Sequence, residues 1–506
     1  MLPLSRKSNV KVIVVGSGPA GVSAAKGLLE RGYQVTLLDV GHTLEPEKQI
    51  LLQQVHDNDK LKIASLRYQA NAKKKPKLPY GSNFVYKGVK DYFLWQTQDC
   101  YFQPSFAQGG LSNVWGGAIA EYSPKELSNW PAASRDLSDY YSQIIDWLTP
   151  YYTRDTSSGL SRQAVYLKNH WQAKQLCLEK NGFHFSTASL AMDFEHCLKC
   201  GGCQYGCPHG FIYNSAIHLT WLKQQPHFDY INQVVVTNFF EKNNQVELQV
   251  QYIKNKQLSR FFADYLFIAC GSGLSSLLYL RALNQPGKEL ILKDSQHFVL
   301  PCLINKAIKG IKKESLHTLC QLKANLIQDT ISEYPIHLQF YTYMDLYYHE
   351  VKNKVKWVFP VVKPFLNSLL ERLLVIQGYI NSKESNQLSI QYQGSGNFLI
   401  KKKYLTTVDK TIHATVNYFK KHQHMLAFKP LSLLLHQSMI GQSNHIGGSL
   451  PMSDNPNGDK VDIWGKPSHF KRIHFVDGSI LPSIPAGPIT LTIMANAYRI
   501  AKKAPL

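Results

Sequence analysis

Lys11-Val-Ile-Val-Val-Gly-Ser-Gly-Pro-Ala-Gly21 is an apolar run of strand character that breaks into a glycine-rich turn and reopens as a helix. Gly16 permits the tight turn, Gly18 lets the backbone approach a pyrophosphate, and Gly21 lets the helix pack closely on the strand. The phosphates would rest on the helix N-terminus, whose first N–H groups lack partners within the helix. A lone G-x-G-x-x-G is weak. Here a second apolar run, Gln34 to Leu38, ends in Asp39, eighteen residues beyond Gly21, and an acid at that place suits a ribose hydroxyl. The stretch reads as the opening of a dinucleotide-binding α/β unit, and by itself it fits NAD and FAD alike.

The 506 residues, 44% hydrophobic, are enough to bury a large core divided among two or three structural units. Lys plus Arg number 56 against 35 Asp plus Glu, a net charge of +21, which favours anionic partners such as phosphorylated substrates, acidic lipid surfaces or nucleic acid. No recognisable nucleic-acid module accompanies the charge, so nucleic acid is not expected. With the first strand at Lys11, the sequence leaves no room for a signal peptide, and a cytoplasmic location is the expectation. No apolar run reaches the roughly eighteen residues of a membrane span, so any membrane contact would be peripheral.

Further along, Arg67 to Lys77 is basic and reads as a solvated loop. Gly109-Gly-Leu-Ser-Asn-Val-Trp-Gly-Gly117 is too glycine-rich for a regular strand, and paired glycines near a nucleotide point to close backbone approach. The runs Gln233–Thr237, Val246–Val250 and Tyr265–Gly271 alternate as strands, returning the chain to the nucleotide unit with Val235 and Gly271 against the cofactor. From about Ser272 to Met439 the chain is long and aromatic, as an inserted substrate domain would be. Within it, Lys352 to Leu366 is basic, aromatic and apolar together, which suits a membrane surface or a core-facing helix with snorkelling lysines. The last sixty residues hold Ser443-Asn-His-Ile-Gly-Gly-Ser449, His474-Phe-Val-Asp-Gly-Ser-Ile-Leu-Pro482 and a helix from Pro488 to Arg499. Both ends of the chain then serve one cofactor.

Cys197-Leu-Lys-Cys200-Gly-Gly-Cys203-Gln-Tyr-Gly-Cys207-Pro208 gathers four of the nine cysteines in eleven positions. The spacing is that of a bacterial ferredoxin run, whose short intervals bring thiolates to separate irons. Tetrahedral zinc on four thiolates and a metal-free reduced loop are the alternatives. Cys100, Cys177, Cys270, Cys302 and Cys320 show no such spacing and read as small buried residues.

These pieces, in this order, resemble the glucose-methanol-choline (GMC) flavoprotein oxidoreductases, through the N-terminal third and the last sixty residues. Gly16, Gly18, Gly21 and Asp39, with Gly41 after the acid, match the N-terminal motif. Gly109, Gly110, Asn113 and Trp115-Gly116-Gly117 resemble the branch of FAD-dependent sugar and gluconate dehydrogenases. Asp477, Gly478 and Ser479 resemble the patch against the flavin pyrophosphate, and the helix after Gly487-Pro488, with Thr490, the one that starts near the flavin ring. The resemblance implies FAD rather than NAD. It makes His445 the base that takes the hydroxyl proton as hydride leaves for the flavin, with Asn444 beside it. Many members carry a His or Asn before the last proline, where this chain has Gly487; Asn444, Thr490 or Thr492 would have to supply that hydrogen bond. In the sugar-dehydrogenase branch an iron–sulfur cluster is held by cysteines corresponding to Cys197, Cys203 and Cys207, with Cys200 extra here, as a [4Fe-4S] or [3Fe-4S] centre.

The expected architecture is α/β (α+β overall): a Rossmann-like FAD-binding domain with an inserted antiparallel-sheet substrate domain. It takes residues 1–135, 225–285 and 440–506 as the FAD domain, 136–224 as a cysteine-cluster segment and 286–439 as the substrate domain. The expected activity is oxidation of the CH–OH group of a sugar-like alcohol, electrons leaving through the cluster to a protein or quinone. The alternatives are an oxygen-using oxidase of a lipid or sterol-like alcohol with a structural cysteine loop, and a non-catalytic basic flavoprotein on a membrane or nucleic acid.

Overall fold

The computed structural model describes residues 10–53, 77–344 and 367–506. The opening stretch forms the strand Lys11–Val15 and the helix Pro19–Leu29. This strand lies at the centre of a five-stranded parallel sheet in the order Ile473–Phe475, Tyr265–Ile268, Lys11–Val15, Gln34–Leu38, Phe228–Ile231. An all-parallel sheet must be covered on both faces, which explains the near-continuous apolar runs Val12–Val15 and Leu266–Ile268. Helix Pro19–Leu29 packs along the C-terminal helix Thr490–Lys503. They touch at Gly27, where a Cβ would press on Ala501 and the ring of Tyr498. Both chain ends therefore brace one nucleotide-binding sheet. An antiparallel meander, Val234–Lys242, Gln245–Tyr252 and Leu258–Ala263, packs into the same core.

A second five-stranded sheet runs Ile446–Gly447, Glu289–Asp294, Gln387–Gly394, Asn397–Lys403, Leu94–Gln98, antiparallel except for its last pair. The third sheet is antiparallel throughout: Phe428–Pro430, His297–Ile304, Leu373–Tyr379, Ile336–Tyr341, Leu322–Leu326, Phe183–Thr187, with His436–Gln437 also paired to His297–Ile304. Its side chains alternate strictly. Phe298, Leu300, Leu338, Phe340, Leu374 and Ile376 share one core with helix Arg162–Gln172 and helix Thr407–Lys421. The opposite face carries His297, His337, Gln339, Tyr341, Gln377 and Tyr379.

The residues joined in these sheets redraw the expected boundaries. The segment 136–224 does not stand apart. Its helix Ser138–Leu148 enters the nucleotide-side core through Tyr141, Ile144 and Leu148, while Phe183–Thr187 is an edge strand of the third sheet. Conversely Glu289–Asp294 and Gln387–Lys403, expected in the substrate domain, pack into the nucleotide-side core through Leu290, Leu292, Leu388 and Ile390. Lys352–Leu366 lies outside the described residues, as does Arg67–Pro76; Lys77 is described and is not solvated, its ammonium being enclosed. Among the described residues, no helix is long and apolar enough to cross a membrane.

Candidate functional site

A cavity of about 450 Å³ opens where the parallel sheet meets the polar face of the third sheet. On the nucleotide side its wall is largely backbone. Gly16 has φ +100°, and a Cβ there would press on the carbonyl oxygen of Ala269; a Cβ on Gly21 would overlap the carbonyl of Gly16 itself. Gly18 faces open space. Three helices begin on this wall: Pro19–Leu29 after Gly18, Ser272–Leu283 after Gly271, and Thr490–Lys503 after Pro488 and Ile489. None of the three has a side-chain N-cap, so uncompensated N–H groups and positive dipole ends converge on one cavity, as an anionic dinucleotide requires. At the strand end Asp39 accepts from Ser17 Oγ and, at 3.3 Å, from Tyr230 Oη. Burial pushes its carboxyl up to about 7. Asp477 accepts from the N–H groups of Gly271 and Ser479, 2.9 Å each, and from Ser275, so it fixes the turns that shape the wall. The residues present fit an FAD.

The other wall holds His445. Strand Glu289–Asp294 ends in buried Asp294, which accepts from Ser443 Oγ and from Gly441 N at 2.7 Å; Ser443 Oγ in turn accepts from His445 N at 2.9 Å. The carbonyl of His445 accepts from Ser295 N at 3.1 Å. The backbone is thus pinned on both sides while the imidazole stays free. Its ring stacks on Tyr379, centroids 4.8 Å apart at 23°, and Nδ1 has no partner. Burial, with His297 nearby, pulls the imidazole down to about 4, so at neutral pH it is an uncharged base facing a cavity. Asn444 precedes it at φ +60°, a left-handed conformation that asparagine tolerates, and its side chain is exposed to the cavity.

Of the residues singled out in the sequence, Gly16, Gly18, Asp39, Gly110, Gly116, Val235, Gly271, Asp477, Gly478, Pro488, Thr490, Asn444 and His445 line this cavity. Gly21, Gly109, Asn113 and Gly117 do not, and act behind the wall. Asn113 spends its amide on the carbonyls of Gln108 and Gly110, 2.9 and 2.7 Å, holding the turn, and a Cβ on Gly109 would collide with Asn214. Thr492 is buried with its hydroxyl 2.7 Å from Tyr141 Oη, so it cannot serve a substrate. A Cβ on Gly487 would meet nothing within 4 Å, leaving open ground where relatives of the resembled family carry a polar residue.

The cysteine loop lies beside the cavity. Cys197 and Cys203 join an apolar cluster with Val299, Tyr341 and Val375 from the third sheet. Three sulfurs accept backbone N–H groups: Cys197 from Lys199 (3.4 Å), Cys203 from Thr318 (3.4 Å) and Cys207 from Phe211 (3.3 Å). The thiols of Cys197, Cys203 and Cys207 are raised above the ordinary cysteine value, first by burial and then by their neighbouring cysteines. Even so, no group of three His, Cys, Asp or Glu among the described residues is arranged to hold a metal ion. The expected iron–sulfur ligation by Cys197, Cys200, Cys203 and Cys207 is therefore not supported. Lys77, expected at the end of a solvated loop, belongs to this site instead. Its ammonium donates to the carbonyls of Trp115 (3.2 Å) and Cys203 (3.3 Å), stapling the cysteine loop to the cavity wall, and burial pulls it down to about 8. Gln339, Tyr341, Gln377 and Tyr379 were missed; the alternation Ile336-His-Leu-Gln-Phe-Tyr341 was the available signal.

No curated protein sequence matches the chain. The GMC oxidoreductase family model for the C-terminal region matches residues 400–497, the stretch that carries Asn444, His445, Asp477, Gly478, Pro488 and Thr490. Among solved structures the chain is similar to pyridoxine 4-oxidase from Mesorbium loti, with a TM-score of 0.64 at 15% identity over 98% of this chain and 99% of that one. The C-terminal region, which sets the imidazole of His445 against the dinucleotide cavity, is thus a GMC oxidoreductase domain, of a family that binds FAD and oxidises CH–OH groups.

Proposed function

We propose that this protein oxidises a small, polar, sugar-like alcohol, with His445 as the base that takes the hydroxyl proton. The observation that carries the proposal is the neutral imidazole with an unpartnered nitrogen, stacked on Tyr379 in the wall opposite three uncapped helix starts. FAD, when bound, supplies the acceptor for the hydride. The chain's part is to orient the alcohol, exclude water, and hold the departing proton on His445; Asn444 is placed to steady the alcohol oxygen.

We propose further that the cysteine loop carries an iron–sulfur cluster on Cys197, Cys203 and Cys207, with Cys200 a fourth ligand in a [4Fe-4S] form, giving electrons a route to a protein or quinone acceptor. Each of the first three sulfurs already accepts a backbone N–H, the pattern that stabilises thiolate ligands. A second reading, an oxygen-using oxidase with a structural cysteine loop, is favoured by the absence of a metal-holding group among the described residues. One preparation separates them. Anaerobically purified protein is assayed for flavin, iron and sulfide, then mixed with hexoses, cyclitols and hydroxymethylpyridines while the flavin band is followed. Bleaching that falls about 10²- to 10⁴-fold in His445→Ala is expected. Bleaching by no alcohol, or at an unchanged rate in the variant, overturns the activity. Flavin without iron, with hydrogen peroxide formed in air as alcohol is consumed, overturns the cluster.

A further inference from the structure

A sheet whose strands alternate polar and apolar residues usually turns its polar face to water. In the third sheet that face is buried. Across one row stand His297, Tyr379, His337 and Asn325, opposite one another in register; across the next stand Gln377, Gln339 and Lys323. Tyr379, His337, Gln339 and Tyr341 are each less than a tenth exposed. Enclosing so many polar groups costs stability unless each finds a partner, and the groups toward the strand ends find theirs in protein. His337 pairs with Asn325 at 2.9 Å, and His297 with Ser438 at 2.7 Å.

Gln339 and Gln377 find theirs on the carbonyl oxygen alone, that of Gln377 also accepting from His297. They are directly opposite each other on neighbouring strands, and both line the cavity beside His445. The carbonyl oxygen of each accepts from the tyrosine two residues on, Tyr341 Oη at 3.0 Å and Tyr379 Oη at 3.4 Å. Each carboxamide is thereby held with its acceptor engaged, and what remains to offer a ligand is a pair of N–H₂ donors. Tyr379 is also the ring on which His445 stacks, so one tyrosine sets both the base and one of the two amides. The charged residues of the cavity lie elsewhere. Asp39 and Asp477 belong to the nucleotide wall, and Lys77 is tied to two backbone carbonyls.

Resting on the function proposed above, we infer that Gln339 and Gln377 form a twin-amide clamp that selects alcohols bearing two neighbouring hydrogen-bond acceptors beside the reacting CH–OH. Vicinal hydroxyls of a polyol, or a ring nitrogen with an adjacent oxygen, meet this requirement. Long-chain and sterol alcohols leave both amides unpaired, and a cationic alcohol such as choline meets donors where it needs acceptors. A site built to hydrogen-bond its substrate rejects analogues that lack the group far more strongly than an apolar pocket can.

Binding and turnover test different statements, which keeps the clamp separable from the activity. Oxidised holoenzyme is titrated in air-free buffer with myo-inositol, glucose, pyridoxine, 1-octanol and choline, following the perturbation of the flavin band at equilibrium, and bleaching is recorded separately. The clamp predicts saturable perturbation by at least one of the first three and none by the last two. Gln339→Met and Gln377→Met should each raise the half-saturation concentration about tenfold or more, whereas Gln→Asn, which keeps the amide, should recover part of the loss. Tyr379→Phe, which frees the Gln377 oxygen, should weaken polar alcohols and leave octanol as poor as before. Binding of octanol or choline in preference to the polar set, or wild-type binding in both methionine variants, overturns the clamp. So does the lack of any perturbation by the polar set. Polar binding without bleaching sustains the clamp and overturns only the activity.

Discussion

The two walls of the cavity are built on opposite principles. The nucleotide wall is made of backbone: glycines that admit no Cβ, and helix starts whose N–H groups have no cap. The substrate wall is made of side chains from strands far apart in the sequence, brought level by register alone. A backbone wall recognises what all its ligands share, charge and phosphate geometry. A side-chain wall recognises what distinguishes them. Mutation should therefore act differently on the two, by removing the fold or the cofactor on one side and by changing preference on the other.

The largest effect is expected at Gly21. A side chain there overlaps the Gly16 carbonyl at the junction of the first strand and helix, with nothing flexible to yield. Gly21→Val should cost more than about 4 kcal/mol and give no folded flavoprotein. Gly18→Ala makes the contrast, since a Cβ there projects into open space. It should leave the melting temperature of flavin-free protein unchanged while lowering flavin content and affinity. If Gly18→Ala melts early, or Gly21→Val binds flavin normally, the backbone wall does not work by close approach.

The cysteine loop sharpens the comparison because it packs on the third sheet through Cys197 and Cys203 while Lys77 ties it to the carbonyl of Trp115. Replacing Cys197, Cys203 and Cys207 together by serine should abolish iron and sulfide in the purified protein and slow reduction of an artificial one-electron acceptor, leaving anaerobic flavin bleaching intact. If wild-type protein holds no iron, the same variant should only lower stability, by a few kcal/mol for one buried and two half-buried sulfurs exchanged for hydroxyls.

Next comes acid. His445, His297 and His337 are all pulled down, to about 4, 4 and 3, chiefly by burial. Above pH 6.5 all three are neutral in folded and unfolded chains alike. Below it the unfolded chain takes up protons first, so stability should fall as pH drops from about 6.5 toward 4. The base is lost later. The limiting rate of flavin bleaching should stay flat through pH 6 and fall only near pH 4, as His445 protonates. A rate that already falls tenfold by pH 6 means the substrate wall is wetter than the structure has it.

Much of the nucleotide wall was legible because its parts are local. Gly16 to Gly21 is a motif six residues long, and Asp39 follows one helix and one strand later. Asn444 and His445 were reached through a resemblance, and both face the cavity. Gln339 and Gln377 were not legible, since they are 38 residues apart and become neighbours only through strand register; alternation alone does not tell which face of a strand is covered. Lys77 was misread for a related reason. A basic stretch signals solvent, and nothing local tells that its last ammonium lies on the carbonyls of Trp115 and Cys203. The domain boundaries failed where the chain shares strands: Phe183–Thr187 joins a sheet whose other members begin more than a hundred residues later.

The smallest effect is expected at Thr492, and it tests how far the C-terminal helix belongs to each wall. Thr490, at the helix start, lines the cavity. One half-turn on, Thr492 is fully buried and shares a 2.7 Å hydrogen bond with Tyr141, 351 residues away on helix Ser138–Leu148. Tyr141 Oη also accepts from Tyr122 N at 3.2 Å, so the phenol keeps one partner when the threonine hydroxyl is removed. Thr492→Val, nearly the same shape, should cost about 1 kcal/mol, a fall of roughly 2 °C in melting temperature for a chain of this size. Its flavin content and alcohol half-saturation should match wild type. A changed half-saturation would show that the helix transmits strain from this buried pair to Thr490 and Pro488, joining the two walls in one mechanical unit.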